Sequence, residues 1–202
     1  MPLIEVPFTP AAAPLPPATE RLLADADTRI DDLRRRDPEG LGSFVPADYA
    51  WVHAGLAAVR GGRLAPGSNF LEWGSGVGVA ACLAATLGFD SAGIEAQAAL
   101  VEEAEDLAAS HGLAVAFAHG SFIPPEHDGL ADVADDLATL ATGLADGHDA
   151  LGLDPSDAAL VYAYPWPGEE AVVEAVFEAA AATGALLLTY RSTGDLVLQR
   201  KR

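Results

Sequence analysis

Cysteine and lysine are nearly absent from this sequence. One cysteine, Cys82, stands in 202 residues, which excludes an internal disulfide and any zinc site built on cysteines. It lies within "VAACLAA", a context for a small core residue rather than a nucleophile. Lys201 is the single lysine, and Lys and Arg together number 11 against 30 Asp and Glu, a formal net charge of −19. A surface this negative repels phosphate backbones, so nucleic acid is a poor partner and a basic protein or a small molecule a better one. Long apolar runs are missing too: none reaches the roughly 18 to 20 residues of a membrane span. The opening "MPLIEVPFTPAAAPLPP" has prolines where a secretory leader has a basic segment and an unbroken apolar core. A cytoplasmic protein without membrane association is expected. The five histidines, His53, His111, His119, His127 and His148, lack paired metal-ligand spacing, and no metal is expected.

What is present suits a folded chain of one domain: half of the residues are apolar. Residues 1–17 read as a proline-rich extended arm. Residues 18–62 read as a helical N-terminal cap, with one charged helix over "ATERLLADADTRIDDLRRRD" and a second over "ADYAWVHAGLAAVRGG". From 63 to 202, short apolar runs alternate with helical segments. "NFLEW", "DSAGIE", "AVAFAH", "AALVYAY" and "ALLLTY" are the expected strands, and "GDLVLQRKR" a short last one. Proline, glycine and aspartate interrupt the rhythm at about 125–156, an insertion placed to cover a site. Strand–helix alternation predicts an α/β fold, a Rossmann-like three-layer sandwich with a mostly parallel sheet and a helical N-terminal extension.

The informative stretch is "FLEWGSGVG". An acid, Glu72, ends a strand, and Gly74, Gly76 and Gly78 follow at alternate positions before the next helix. Glycines let the backbone turn tightly and let a ligand approach without meeting a Cβ, and the helix start turns free amides to the same space. Glu95 ends the next strand, nineteen residues after Gly76, the distance at which nucleoside-binding folds place a ribose-binding carboxylate. The dinucleotide fingerprint G-x-G-x-x-G fits poorly, because its last glycine would be Val79. The hydrolase elbow G-x-S-x-G fails around Ser75. An acid inside the turn is awkward beside a pyrophosphate and suits a positively charged ligand.

"FLEWGSGVG", with "GIEAQ" after it and "HGSF" at the third of those strands, resembles the class I S-adenosylmethionine-dependent methyltransferases over roughly residues 44–190. The resemblance implies S-adenosylmethionine as cofactor and residues 63–202 as the domain that binds it. It implies that Glu72, Gly74, Gly76 and Gly78 line the methionine side, that Glu95 takes the ribose, and that Ser121 and Phe122 border the adenine. The family often has aspartate where Ser121 stands. "GSFVPADYAW" resembles a segment that closes over the cofactor in small protein-lysine methyltransferases, which points to Phe44 and Tyr49.

"VYAYPWPGEE" follows the fourth of those strands, where amino-group methyltransferases carry a polar-Pro-Pro-aromatic motif. Here Tyr164 replaces the usual Asp or Asn. Tyr164, Pro165 and Trp166 are the expected acceptor residues, Tyr164 and His119 the expected catalytic ones, while Glu169 and Glu170 read as acids of a first helical turn. The implied activity is methyl transfer to a protein side chain or small molecule. Two alternatives stand beside it: a methyltransferase-like protein that binds cofactor without turnover, and an NAD-dependent oxidoreductase. The usual closing hairpin of the fold is expected to be short, leaving a truncated sheet edge.

Overall fold

The computed structural model describes residues 3–37, 45–133 and 140–202; Phe44 lies outside them. Seven strands form one sheet: β1 (Leu3–Glu5), β2 (Asn69–Trp73), β3 (Asp90–Glu95), β4 (Val115–His119), β5 (Leu160–Ala163), β6 (Leu186–Tyr190) and β7 (Leu196–Lys201). Their order is β1-β7-β6-β5-β2-β3-β4. The five strands β6, β5, β2, β3 and β4 are parallel, β7 is antiparallel to β6, and β1 is antiparallel to β7. Near-continuous apolar runs such as "LLLTY" suit strands covered on both faces, and every residue of β5 and β6 is buried.

The chain runs outward from β2 through β3 to β4, then returns to β5 on the other side of β2. The two neighbours β2 and β5 thus mark the switch point, beyond whose carboxyl ends open α/β sheets place their ligands. Glu72 pairs in register with Tyr162 across this seam.

One face packs against α1 (Pro17–Arg36), α2 (Tyr49–Gly61), α3 (Val79–Thr86) and α4 (Ala98–Ser110). Leu22, Ala26, Ile30 and Leu33 recur at three- and four-residue steps along α1 and bury one stripe. Each buried Leu or Ile there contributes about 1.5–3 kcal/mol. Arg29 and Arg36 of α1 both reach Glu103 of α4, at 3.5 and 2.9 Å, so two arginines clasp α1 to α4. The other face carries α6 (Glu170–Ala180), the short α5 (Gly147–Leu151) and a 3₁₀ helix, Pro125–Val133. Cys82 is buried in α3, and burial pushes its thiol up to about 12, as suits an inert core residue.

Within the extended N-terminal arm, Leu3–Glu5 pairs with Gln199–Lys201. One expectation is corrected: the closing edge is not truncated, because β7 pairs along β6 from Leu196 to Arg200 and β1 covers part of its outer side. Among the described residues, no helix is long and apolar enough to cross a membrane, and no group of three or more His, Cys, Asp or Glu forms a metal-binding cluster.

Candidate functional site

The turn after β2 has the conformation that its glycines permit: Gly74, Gly76 and Gly78 have φ of 67°, 52° and 72°, in the left-handed region that side chains disfavour. The Ser75 amide donates to the Ile94 carbonyl at 2.9 Å and anchors the turn to β3. A Cβ on Gly74 would meet nothing within 4 Å, so that side of the turn is open. Gly78 behaves differently. It precedes α3, and a Cβ there would lie 2.4 Å from Phe117 Cζ.

The turn forms one wall of a cleft of about 780 Å³ across the carboxyl ends of β2, β3 and β5. Glu72, Gly74, Gly76, Glu95, Ser121, Phe122, Tyr164, Pro165 and Trp166 all line it. Two anticipated residues do not. Gly78 faces Phe117 behind the turn, so its role is packing. His119 is exposed and bonds through Nε2 to the Ala96 carbonyl at 3.0 Å, outside the cleft lining. Tyr49 lines the cleft from the start of α2, where the Asp48 side chain accepts the Trp51 amide. The returning insertion contributes Leu140 to Thr142 and Leu144, and is fastened by a parallel bridge between Ser121 and Asp146.

Both strand-end acids are buried. Glu72, 4% exposed, accepts the Ala81 amide of α3 at 2.8 Å. Burial raises its carboxyl to about 8, with repulsion from Glu95 adding to the shift. Glu95 accepts the Gly76 amide through one oxygen and the Gln97 amide through the other, at 2.8 and 2.9 Å. Burial nevertheless holds it above the ordinary range. The carboxylate keeps acceptor capacity beyond these backbone donors.

Ser121 accepts the Ile123 amide at 3.0 Å, and the Phe122 ring stacks on Trp73 with centroids 5.0 Å apart. Burial raises the hydroxyl pKa of Tyr49, Tyr162 and Tyr164, and Glu72 adds to the effect at the first two. Among the described residues, Trp73 Nε1, Ser75 Oγ and the Tyr162 hydroxyl are buried without a hydrogen-bond partner, and all three residues border the cleft.

Tyr162, Trp73 and Glu169 join the cleft without a signal in the sequence. Tyr162 needs the β2–β5 pairing, which the sequence does not display. Glu169 stands at the N-cap of α6, immediately before the first turn, and its side chain is buried in the cleft lining. The lining thus holds three carboxylates, Glu72, Glu95 and Glu169, and no Lys, Arg or His among its described residues.

No protein-family model and no curated protein matches the sequence. Among solved structures, the chain is similar to an RNA methyltransferase from Salinibacter ruber in complex with S-adenosyl-L-homocysteine, at 20% identity and a TM-score of 0.53, over 77% of this chain and 92% of that one. S-adenosylmethionine-dependent methyltransferases from Thiobacillus denitrificans and Geobacter sulfurreducens, also in complex with S-adenosyl-L-homocysteine, are 22% and 20% identical, with TM-scores of 0.42 and 0.44. Each of these two aligns over 68% of this chain, which spans 46% of their length. The chain has the Rossmann-like α/β fold of a methyltransferase.

Proposed function

We propose that the chain is an S-adenosylmethionine-dependent methyltransferase acting on a protein side chain or a small molecule. The observation that carries this reading is the pair of buried acids around the glycine turn, Glu72 and Glu95, at the switch point of the sheet. The residues fit the cofactor. The remaining acceptor capacity of Glu95 suits ribose hydroxyls, and the open side of Gly74 admits the aminoacyl part. Glu72 offers a carboxylate to a cation, and Phe122 offers a ring face on the adenine side. The buried unpartnered atoms of Ser75, Trp73 and Tyr162 mark a lining with polar capacity to spare. When bound, the sulfonium supplies an activated methyl group.

The protein's part is to hold the acceptor in line, exclude water and favour its unprotonated form. Val79 is buried where a dinucleotide fingerprint needs glycine, and the described lining has no Lys or Arg to meet a pyrophosphate, so the NAD reading is the weaker one. Titration calorimetry with S-adenosylhomocysteine, and NAD in parallel, tests the choice. Micromolar binding of the first alone is expected. Binding of NAD alone, or of neither, would overturn the proposal.

A further inference from the structure

The sheet ends in two edges of different character. β1 is three residues long, carries Glu5 and runs into Pro7. Shortness, charge and proline are the devices that keep an edge strand from pairing with another chain. β4, "VAFAH", has five residues and no proline, acid or lysine. We propose that the outer edge of β4 is a docking strand for an extended, basic segment of another protein, seated beside a hollow at the opposite end of the sheet from the glycine turn.

The Gly120 amide donates to the Glu95 carbonyl at the end of β3, whereas the next amide, that of Ser121, donates away from the sheet to the Ala145 carbonyl, both at 2.9 Å. Successive residues of a strand turn their backbone groups to opposite edges, so those of Val115, Phe117 and His119 point outward with Ser121. Residues 145–147 meet that edge at Ser121, beyond the end of β4. Among the described residues, β3 is the one strand paired with β4. A strand laid along the edge would take up the outward amides and carbonyls.

Side chains decide which strand fits. Val161, Leu71, Ala92 and Ala116 stand in register across β5, β2, β3 and β4. Val161, Leu71 and Ala92 are buried on the face that carries α5, but towards the edge the row falls to alanine, and Ala116 is exposed. With Leu151 and Leu153 beside it, this row leaves a hollow of about 530 Å³ at the amino ends of β2, β3 and β4. A strand paired to β4 turns every second side chain to this face. A bulky aliphatic residue opposite Ala116 would fill the space that the alanines leave.

Charge selects the partner. Asp90, Asp154 and Asp157 are exposed at the rim of the hollow, whose described lining has no Lys, Arg or His. On the other face of β4, α4 presents exposed Glu102, Glu105 and Asp106. Acids on both faces attract a basic segment. They oppose a second copy of this chain, which would bring the same acids to the contact and a further formal charge of −19.

The test uses the full-length protein and three heptapeptide probes: one alternating isoleucine with arginine, the same peptide N-methylated at every residue, and one alternating isoleucine with glutamate. Fluorescence anisotropy at physiological salt should show the first binding at least about tenfold more tightly than the second, which keeps the charge but loses its backbone donors. The glutamate peptide should not bind. By amide hydrogen exchange, Val115, Phe117 and His119 should be unprotected in the protein alone and slow when the first peptide is added, while Ala118, which faces β3, is slow throughout. Ala116→Arg should abolish peptide binding and leave Tm unchanged. Equal binding of the first two peptides would reduce the contact to charge alone and overturn the proposal. So would outward amides that are already slow in the protein alone, because the edge would then be covered. Sedimentation showing a dimer that Ala116→Arg dissociates would give the edge to a second copy and overturn the basic partner.

Discussion

The Glu95 carboxylate accepts the Gly76 amide at 2.8 Å, so the acid that ends β3 closes onto the turn that follows β2. The eighteen residues between them are spent on α3 and most of β3, one helix out and one strand back. Replacing Glu95 with Ala removes its bond to the turn and the carboxylate proposed to hold the ribose. Affinity for S-adenosylhomocysteine should fall by roughly 1.5 to 3 kcal/mol, the range for hydrogen bonds to a charged group. Titration calorimetry measures the change, and unaltered affinity would remove Glu95 from the site.

Gly78 should matter for stability rather than for contact with a ligand. Its φ of 72° and the 2.4 Å that would separate an added Cβ from Phe117 Cζ oppose any side chain. Gly78→Ala should cost about 1–2 kcal/mol for the left-handed backbone and a further roughly 1–3 kcal/mol for overpacking. Thermal melts would show a lowered Tm. Adding Phe117→Leu should restore only the packing part, because the backbone cost remains. A Gly78→Ala protein that melts like the parent would refute the packing role.

The glycine turn, the two acids and most strands are legible in the sequence because each leaves a local mark: an apolar run, a positive-φ residue, a fixed spacing. Other features depend on partners distant in the chain. The back of Gly78 is set by Phe117, which arrives through the pairing of Gly93 with Phe117 between β3 and β4. β1 is three residues between prolines, too short for a period, and its partner is the far strand β7. The burial of Glu169 cannot be read either, since "PGEE" before an apolar helix describes an exposed first turn equally well. His119 follows a strand core, which points to the cleft, but strand alternation and the Ala96 carbonyl take its ring away from it.

Glu72 gives the protein a pH dependence of unusual sign. Burial raises its folded-state pKa to about 8 from 4.5, so between these values the folded state holds a proton that the unfolded state has lost. Its contribution to stability is complete below the unfolded pKa and is lost as pH rises towards 8, by at most about 1.4 kcal/mol per pH unit. Melts of the ligand-free protein should show Tm falling from pH 5 to pH 8, and Glu72→Gln should flatten that part of the slope. A bound cation would favour ionised Glu72, so S-adenosylmethionine binding near pH 7 should release a proton. Calorimetry in buffers of different ionisation enthalpy counts it. Equal proton release by the parent and Glu72→Gln would exclude Glu72 as the source.

We expect the charge of this chain to weigh against a nucleic-acid acceptor, even though a solved structure of similar fold is an RNA methyltransferase. Protein–RNA affinity rests on Lys and Arg that neutralise phosphates and release their counterions. This chain has a formal net charge of −19 and a single lysine. Of its arginines, Arg29 and Arg36 are already paired with Glu103, and Arg35 with Asp32. The described cleft lining has no Lys or Arg to guide a strand inward. Filter binding with total transfer RNA should show no complex at physiological salt, with any dissociation constant at or above the roughly 10⁻⁴ M of weak nonspecific binding. Lowering the salt should not rescue it, because the long-range term is repulsive. Tight binding that weakens as salt is added would reveal a basic surface absent from the described structure, and would return RNA to the front as acceptor.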